Sequence, residues 1–155
     1  MNTAKAGEEY NKWDLRFLEL AKLVSTWSRD PSTQTGAAIT SPSKKVISLG
    51  YNGFPQSMPD KEEYYKNREE KYSRIIHCEM NAVLTAGKLP PNCTLYTWPF
   101  ASCDRCCVHM IQAGIRRFVF PAIPDELIER WSKSVELTKR YIEECNCSWT
   151  EVHYD

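Results

Sequence analysis

The chain has no apolar run approaching the roughly 20 residues that a membrane-spanning helix needs. Its opening stretch, MNTAKAGEEYNKW, lacks the basic-then-apolar pattern of a secretory signal. Net charge is missing too. Twenty basic side chains meet twenty acidic ones, so the whole-molecule field favours neither a polynucleotide nor an anionic membrane. An anionic partner has to be small and met by a local pocket. No repeat, linker or low-complexity tract interrupts the 155 residues, and that length suits one domain with its own core. The expectation is a single cytoplasmic domain over residues 1–155.

Cysteine, by contrast, is abundant. Seven stand at positions 78, 93, 103, 106, 107, 145 and 147. A disulfide-stapled secreted domain is normally shorter and carries a signal, whereas clustered thiols in a cytoplasmic protein more often bind metal.

Apolar residues Trp13, Phe17, Leu20, Leu23, Val24 and Trp27 recur at helical steps, which predicts an amphipathic helix over 9–28. Pro31 and its polar neighbours end it. GAAIT (36–40) and VISLGYN (46–52) read as two strands of a hairpin around SPSKK. The charged run 61–75 reads as partly helical. After it the pattern predicts a helix over 78–87 ended by Gly87, a strand over 93–98, and a helix over 103–114 ended by Gly114. A strand over 115–122, a helix over 125–144 and a short strand over 148–154 complete the chain. This order predicts a three-layer α/β/α domain around one mixed sheet of about five strands. Parallel right-handed crossovers are expected after residue 77.

CDRC at 103–106 is a C-x-x-C, a spacing that lets two sulfurs at a helix start meet one ion. Alone it is also compatible with a redox pair, or with half of a four-cysteine site completed by Cys145 and Cys147. His77, 26 positions upstream of Cys103, changes the balance. In zinc deaminases an H-x-E precedes a C-x-x-C: one His and two Cys hold zinc, and the Glu moves protons without ligating. Here His77, Cys78 and Glu79 stand before Cys103 and Cys106. Three protein ligands leave a fourth position for water, a catalytic arrangement. Two residues apart, His77 and Glu79 point in nearly opposite directions on a helix. They converge only on a site beyond the helix N-terminus, where free N–H groups and the positive dipole end favour thiolates. His109 and His153 read as surface or packing residues, and Cys93 and Cys107 as small core residues.

With these residues in place, the sequence resembles the cytidine deaminase superfamily, and within it the deoxycytidylate (dCMP) deaminases of bacteriophage and eukaryotic type. SRDPSTQTGA (28–37), LGYNGFP (49–55), KYSRIIHCEMNAV (71–83), CTLYT (93–97), CDRC (103–106) and IQAGI (111–115) carry the likeness, in family order. The resemblance implies zinc-dependent hydrolysis of dCMP to dUMP and ammonia, feeding thymidylate synthesis. It implies a homo-oligomer, often a hexamer, activated by dCTP and inhibited by dTTP with Mg²⁺. By the same resemblance His77, Cys103 and Cys106 would bind one Zn²⁺ and Glu79 would shuttle protons. Asn52 would bond the deoxyribose, the Cys78 backbone N–H the base carbonyl, and Arg29 the 5′-phosphate. The base-facing loop Trp98–Ser102 would contact substrate through Trp98, and Asn52, Gly53 and Phe54 would form part of an effector site.

Two departures stand out. The family usually has Ala between the His and the Glu, where this chain has Cys78, and Pro before the first Cys, where it has Ser102. Ser102 is expected to cap the following helix through its hydroxyl, and the Cys78 sulfur to pack without a role. Family members with a second, structural zinc carry a histidine where this chain has Asn67, so one zinc is expected. Two alternatives remain: a deaminase of another cytosine or adenine compound, and a non-catalytic zinc protein.

Overall fold

The computed structural model describes residues 9–154. Five strands form one sheet: β1 (Gly36–Thr40), β2 (Val46–Tyr51), β3 (Cys93–Trp98), β4 (Ile115–Pro121) and β5 (Ser148–Val152), in the order β2-β1-β3-β4-β5. β1 runs antiparallel to both β2 and β3, while β3, β4 and β5 are parallel. The mixed sheet and its parallel second half agree with the expectation.

α1 (Lys12–Ser25) covers one face, packing Phe17, Leu18 and Ala21 on Ala38, Tyr96 and Val119. It starts later than the periodicity suggested because Asn11 and Asp14 close a capping box. Asp14 is also a buried anchor: it accepts two bonds from Arg117 on β4, both at 2.8 Å, and one from the Tyr96 hydroxyl on β3. The opposite face carries α4 (Cys78–Ala86), α5 (Asp104–Ala113) and α6 (Ile128–Glu144) over a core that includes Leu95, Met110, Phe118, Phe120 and Ile142. The run 61–75 is two short helices, α2 (Glu62–Lys66) and α3 (Arg68–Arg74). They break at Asn67, whose side chain accepts from the Glu70 N–H and so starts a new helix. α6 begins at Ile128, after a 3-10 turn over Asp125–Leu127, and β5 stops at Val152.

Strand direction decides where the site forms. Because β1 opposes its neighbours, its first residue, Gly36, lies beside Tyr51 at the end of β2 and Trp98 at the end of β3. α4 starts against that same edge of the sheet. A Cβ on Gly50 would lie 2.3 Å from the Cys78 carbonyl oxygen and 2.5 Å from the Ala82 nitrogen. Only a glycine lets the first turn of α4 settle on β2, and the Ser48 hydroxyl fastens it by donating to the Ala82 carbonyl (2.7 Å).

Candidate active site

α4 and α5 begin side by side, with His77 and Cys103 as their N-cap residues. His77 Nδ1 lies 3.4 Å from Cys103 Sγ and 3.3 Å from Cys106 Sγ. A tetrahedral zinc with bonds of about 2.3 Å to sulfur and about 2.0–2.1 Å to nitrogen sets such edges at about 3.5 Å. The three side chains therefore fit the ion with little movement. Among the described residues they form the one His/Cys/Asp/Glu group with metal-binding spacing, and Glu79 is not in it. The electrostatics suit a cation. A hydrogen bond from the Cys106 thiol, opposed by burial and helped by His77, holds the Cys103 thiol well below its ordinary range. Cys106 moves up in turn, since the two sulfurs share a proton.

Glu79 sits in the first turn of α4, 3% exposed, on the wall of a pocket that also takes in His77, Cys78 and Cys103. Burial pushes its carboxyl above the usual range, against the pull of the His77 imidazole. Its Oε2 accepts a hydrogen bond from the Ser102 hydroxyl. Its Oε1 faces the Cys78 thiol at 3.7 Å. Both contacts correct the sequence reading. Ser102 does not cap α5: Cys103 does, its sulfur accepting from the Cys106 N–H at 3.4 Å. The Cys78 sulfur is buried as expected, but it packs against the carboxylate and is a weak donor to it.

Asn52 and Trp98 line the same pocket. Asn52, however, is already committed. Its amide donates to Asp30 Oδ2 (3.2 Å) and the Thr33 carbonyl (2.9 Å), and its Oδ1 accepts from the Thr35 N–H (2.9 Å). It organises the 28–35 loop, and one acceptor lone pair is left over. Trp98 stands edge-on to Tyr154 with Lys22 over its ring, between the pocket and the neighbouring surface. The Trp98–Pro99 peptide is cis, and the loop turns inward so that Phe100 and Ala101 are buried.

Arg29 is placed elsewhere. Its side chain is 76% exposed, pairs with Asp60 at 3.0 Å, and lines a second cavity with Trp27, Tyr51, Gly53 and Phe54. Adjacent residues of the loop face opposite ways: Asp30 turns into the pocket and Arg29 out of it. Gly53 and Phe54 belong wholly to this second cavity, where Phe54 stacks on Tyr65 at 4.3 Å.

Several pocket residues were not singled out from the sequence. Lys71 reaches Asp30 at 2.8 Å with both side chains largely buried. Arg130 and Trp131 come from α6, Trp131 stacking on Phe100 at 5.3 Å. The Trp131 indole N–H is buried with no hydrogen-bond partner among the described residues. Arg130 donates to the Tyr72 hydroxyl at 2.9 Å, and no carboxylate among the described residues pairs with it. A lone arginine in an amphipathic helix carries no local signal of such a position. Only the packing of α6 beside α5 brings it to the pocket.

Comparison with known proteins identifies the family. The family model described as the cytidine and deoxycytidylate deaminase zinc-binding region covers residues 11–122. An uncharacterised deaminase from Aliivibrio fischeri is 35% identical over 83% of this chain and 86% of its own length. Human deoxycytidylate deaminase is 31% identical over 76% of this chain and 69% of its own. A crystal structure of dCMP deaminase from the cyanophage S-TIM5 with dCMP and dUMP superposes with a TM-score of 0.72. It is 16% identical, and the match covers 94% of this chain and all of that one, which is a likeness of fold.

Proposed function

Because this chain belongs to the cytidine and deoxycytidylate deaminase family, we propose that it hydrolyses dCMP to dUMP and ammonia, supplying dUMP for thymidylate synthesis. The observation that carries the reading is a buried carboxylate, Glu79, beside a three-ligand cluster that it does not join. His77, Cys103 and Cys106 would hold a zinc ion, which would supply an activated water for the attack. Glu79 is placed to take one proton of the attacking water and give it to the ring nitrogen of cytosine as the oxygen adds to C4. It then carries the added hydroxyl's remaining proton to the amine, which leaves as ammonia as the C4 carbonyl forms. The Cys78 amide, in the first turn of α4 and so outside the intrahelical ladder, is free to donate to the base carbonyl. Trp98, Phe100 and Trp131 supply apolar walls for a ring, and the spare lone pair of Asn52 Oδ1 meets a sugar hydroxyl.

The 5′-phosphate falls to Arg130 in this reading. Arg130 lies at the pocket without a carboxylate partner, whereas Arg29 is already paired with Asp60 and lines the other cavity. Arg130→Ala should raise KM for dCMP by at least about tenfold and leave deoxycytidine turnover unchanged, since a charge-assisted phosphate contact contributes about 1.5–3 kcal/mol. An unchanged KM returns the phosphate to another residue.

The second cavity is the proposed effector site. Gly53 in its wall exchanges two backbone bonds with Ile76 (3.1 and 2.8 Å), the residue before His77. Occupancy by dCTP, as activator, or by dTTP with Mg²⁺, as inhibitor, thus has a direct route to the residues that would hold the metal. The oligomer is proposed to be a hexamer, which light scattering measures. Initial rates with each nucleotide test the regulation, and a flat response to both removes it.

The substrate is tested by ammonia release from dCMP, dCTP, deoxycytidine and a cytosine-containing oligonucleotide. dCMP should be strongly preferred. Turnover of any other member without dCMP moves the chain to a different branch of the family.

A further inference from the structure

Ser102 lies in the loop between β3 and α5 and is 3% exposed. Its backbone is held from α6: the buried Thr138 hydroxyl donates to the Ser102 carbonyl at 2.7 Å. The turn behind it is closed by Thr97, whose hydroxyl donates to the Phe100 carbonyl at 2.9 Å. With main chain and preceding turn both fixed, the Ser102 hydroxyl has one strong acceptor within reach, Glu79 Oε2. The other carboxylate oxygen meets the long, weak contact from the Cys78 thiol.

We infer that Ser102 is a positioning residue that holds Glu79 by one oxygen, so that Oε1 is the oxygen that carries the proton. A buried carboxylate on a flexible glutamate side chain otherwise samples several rotamers, and a small misplacement of a reacting group costs rate without affecting binding. The path Thr138–Ser102–Glu79 makes α6 part of the catalytic geometry, although α6 contributes no proton-transfer group. Cys78 is the lesser partner, since a thiol at 3.7 Å restrains little. This inference rests on Glu79 as the proton carrier.

The experiment compares Ser102→Ala, Ser102→Thr, Glu79→Gln and the Ser102→Ala/Glu79→Gln double variant. Zinc per chain, melting temperature, kcat and KM for dCMP are measured on each. Ser102→Ala should keep one zinc and lower kcat by about tenfold with KM within about twofold, the signature of an interaction used in the transition state. Ser102→Thr, which restores the hydroxyl, should recover most of kcat. If its extra methyl unfolds it, the double variant decides alone: removing Ser102 from Glu79→Gln should cost nothing further, because Ser102 acts only through Glu79. Loss of zinc in Ser102→Ala, wild-type kcat in it, or an additive loss in the double variant each overturns the inference while leaving the function intact. Retained turnover in Glu79→Gln overturns the underlying reading instead.

Discussion

Three consecutive side chains, His77, Cys78 and Glu79, share one helix start and do three different things. His77 stands at the N-cap position of α4 with its ring against the two cysteines, Cys78 is buried, and Glu79 lies against Ser102. Their divergence follows from the helix, which rotates successive residues by about 100°. Replacing a ligand should therefore differ in kind from replacing its neighbour. Cys106→Ser should lose zinc on dialysis, as measured by metal analysis, because one of three protein ligands has gone. Cys78→Ala should keep its zinc and lose no more than about twofold in kcat, since the thiol contributes only a weak contact. Both positions where the chain departs from the family's usual residues, Cys78 and Ser102, lie against Glu79. From the sequence they read as a packing residue and a helix cap. The alternative geometry was invisible because the Ser102 loop meets α4 only in three dimensions.

At the scale of elements, the site is made by the junction of α4 with β2. Gly50 sets that distance, and its role follows from the backbone of Cys78 and Ala82 lying where a Cβ would go. Gly50→Ala should destabilise the fold by about 1–3 kcal/mol, the usual cost of overpacking, read as a lower midpoint of denaturant unfolding. Activity should fall further than stability explains, because the displaced turn carries Cys78 and Glu79. The elements themselves were largely legible: β1 and β2 flank the SPSKK turn, and α4 and α5 each end at a glycine, Gly87 and Gly114. The zinc cluster was legible for the same reason, since helix starts put ligands and motif together in sequence. Asp30–Lys71, Arg130 and Trp131 were not, because α3 and α6 deliver them across the fold. The split at Asn67 was missed because a single side-chain cap outweighed a continuous charged pattern.

At the scale of the whole molecule, no described helix is long and apolar enough to cross a membrane. α1 is tied to the sheet by Asp14, which joins β3 and β4 through Tyr96 and Arg117. Burial pushes Asp14 up, but its bonds from Arg117, Asn11 and Tyr96 more than offset this and hold it below the ordinary aspartate value. A carboxyl depressed in the folded state gives stability that is fully present above its unfolded pKa of about 3.9 and is lost as pH falls through the folded value. Asp14→Asn should cost about 3 kcal/mol at neutral pH, the low end for a broken buried pair because Arg117 keeps partial exposure. The gap from wild type should narrow in acid unfolding below about pH 4. The same fold places the His77, Cys103 and Cys106 cluster, the proposed phosphate arginine and the proposed effector cavity around one end of the sheet. The central claim is that Glu79 moves protons for a deamination at the His77, Cys103 and Cys106 site. The most direct test follows dUMP formation from dCMP by zinc-loaded wild type and by Glu79→Gln, with zinc per chain measured on the same samples. One zinc in each, with turnover in the wild type and a loss of at least about 10²-fold in the variant, is the predicted result. Undiminished dUMP formation by Glu79→Gln, or its failure to hold zinc, contradicts the account.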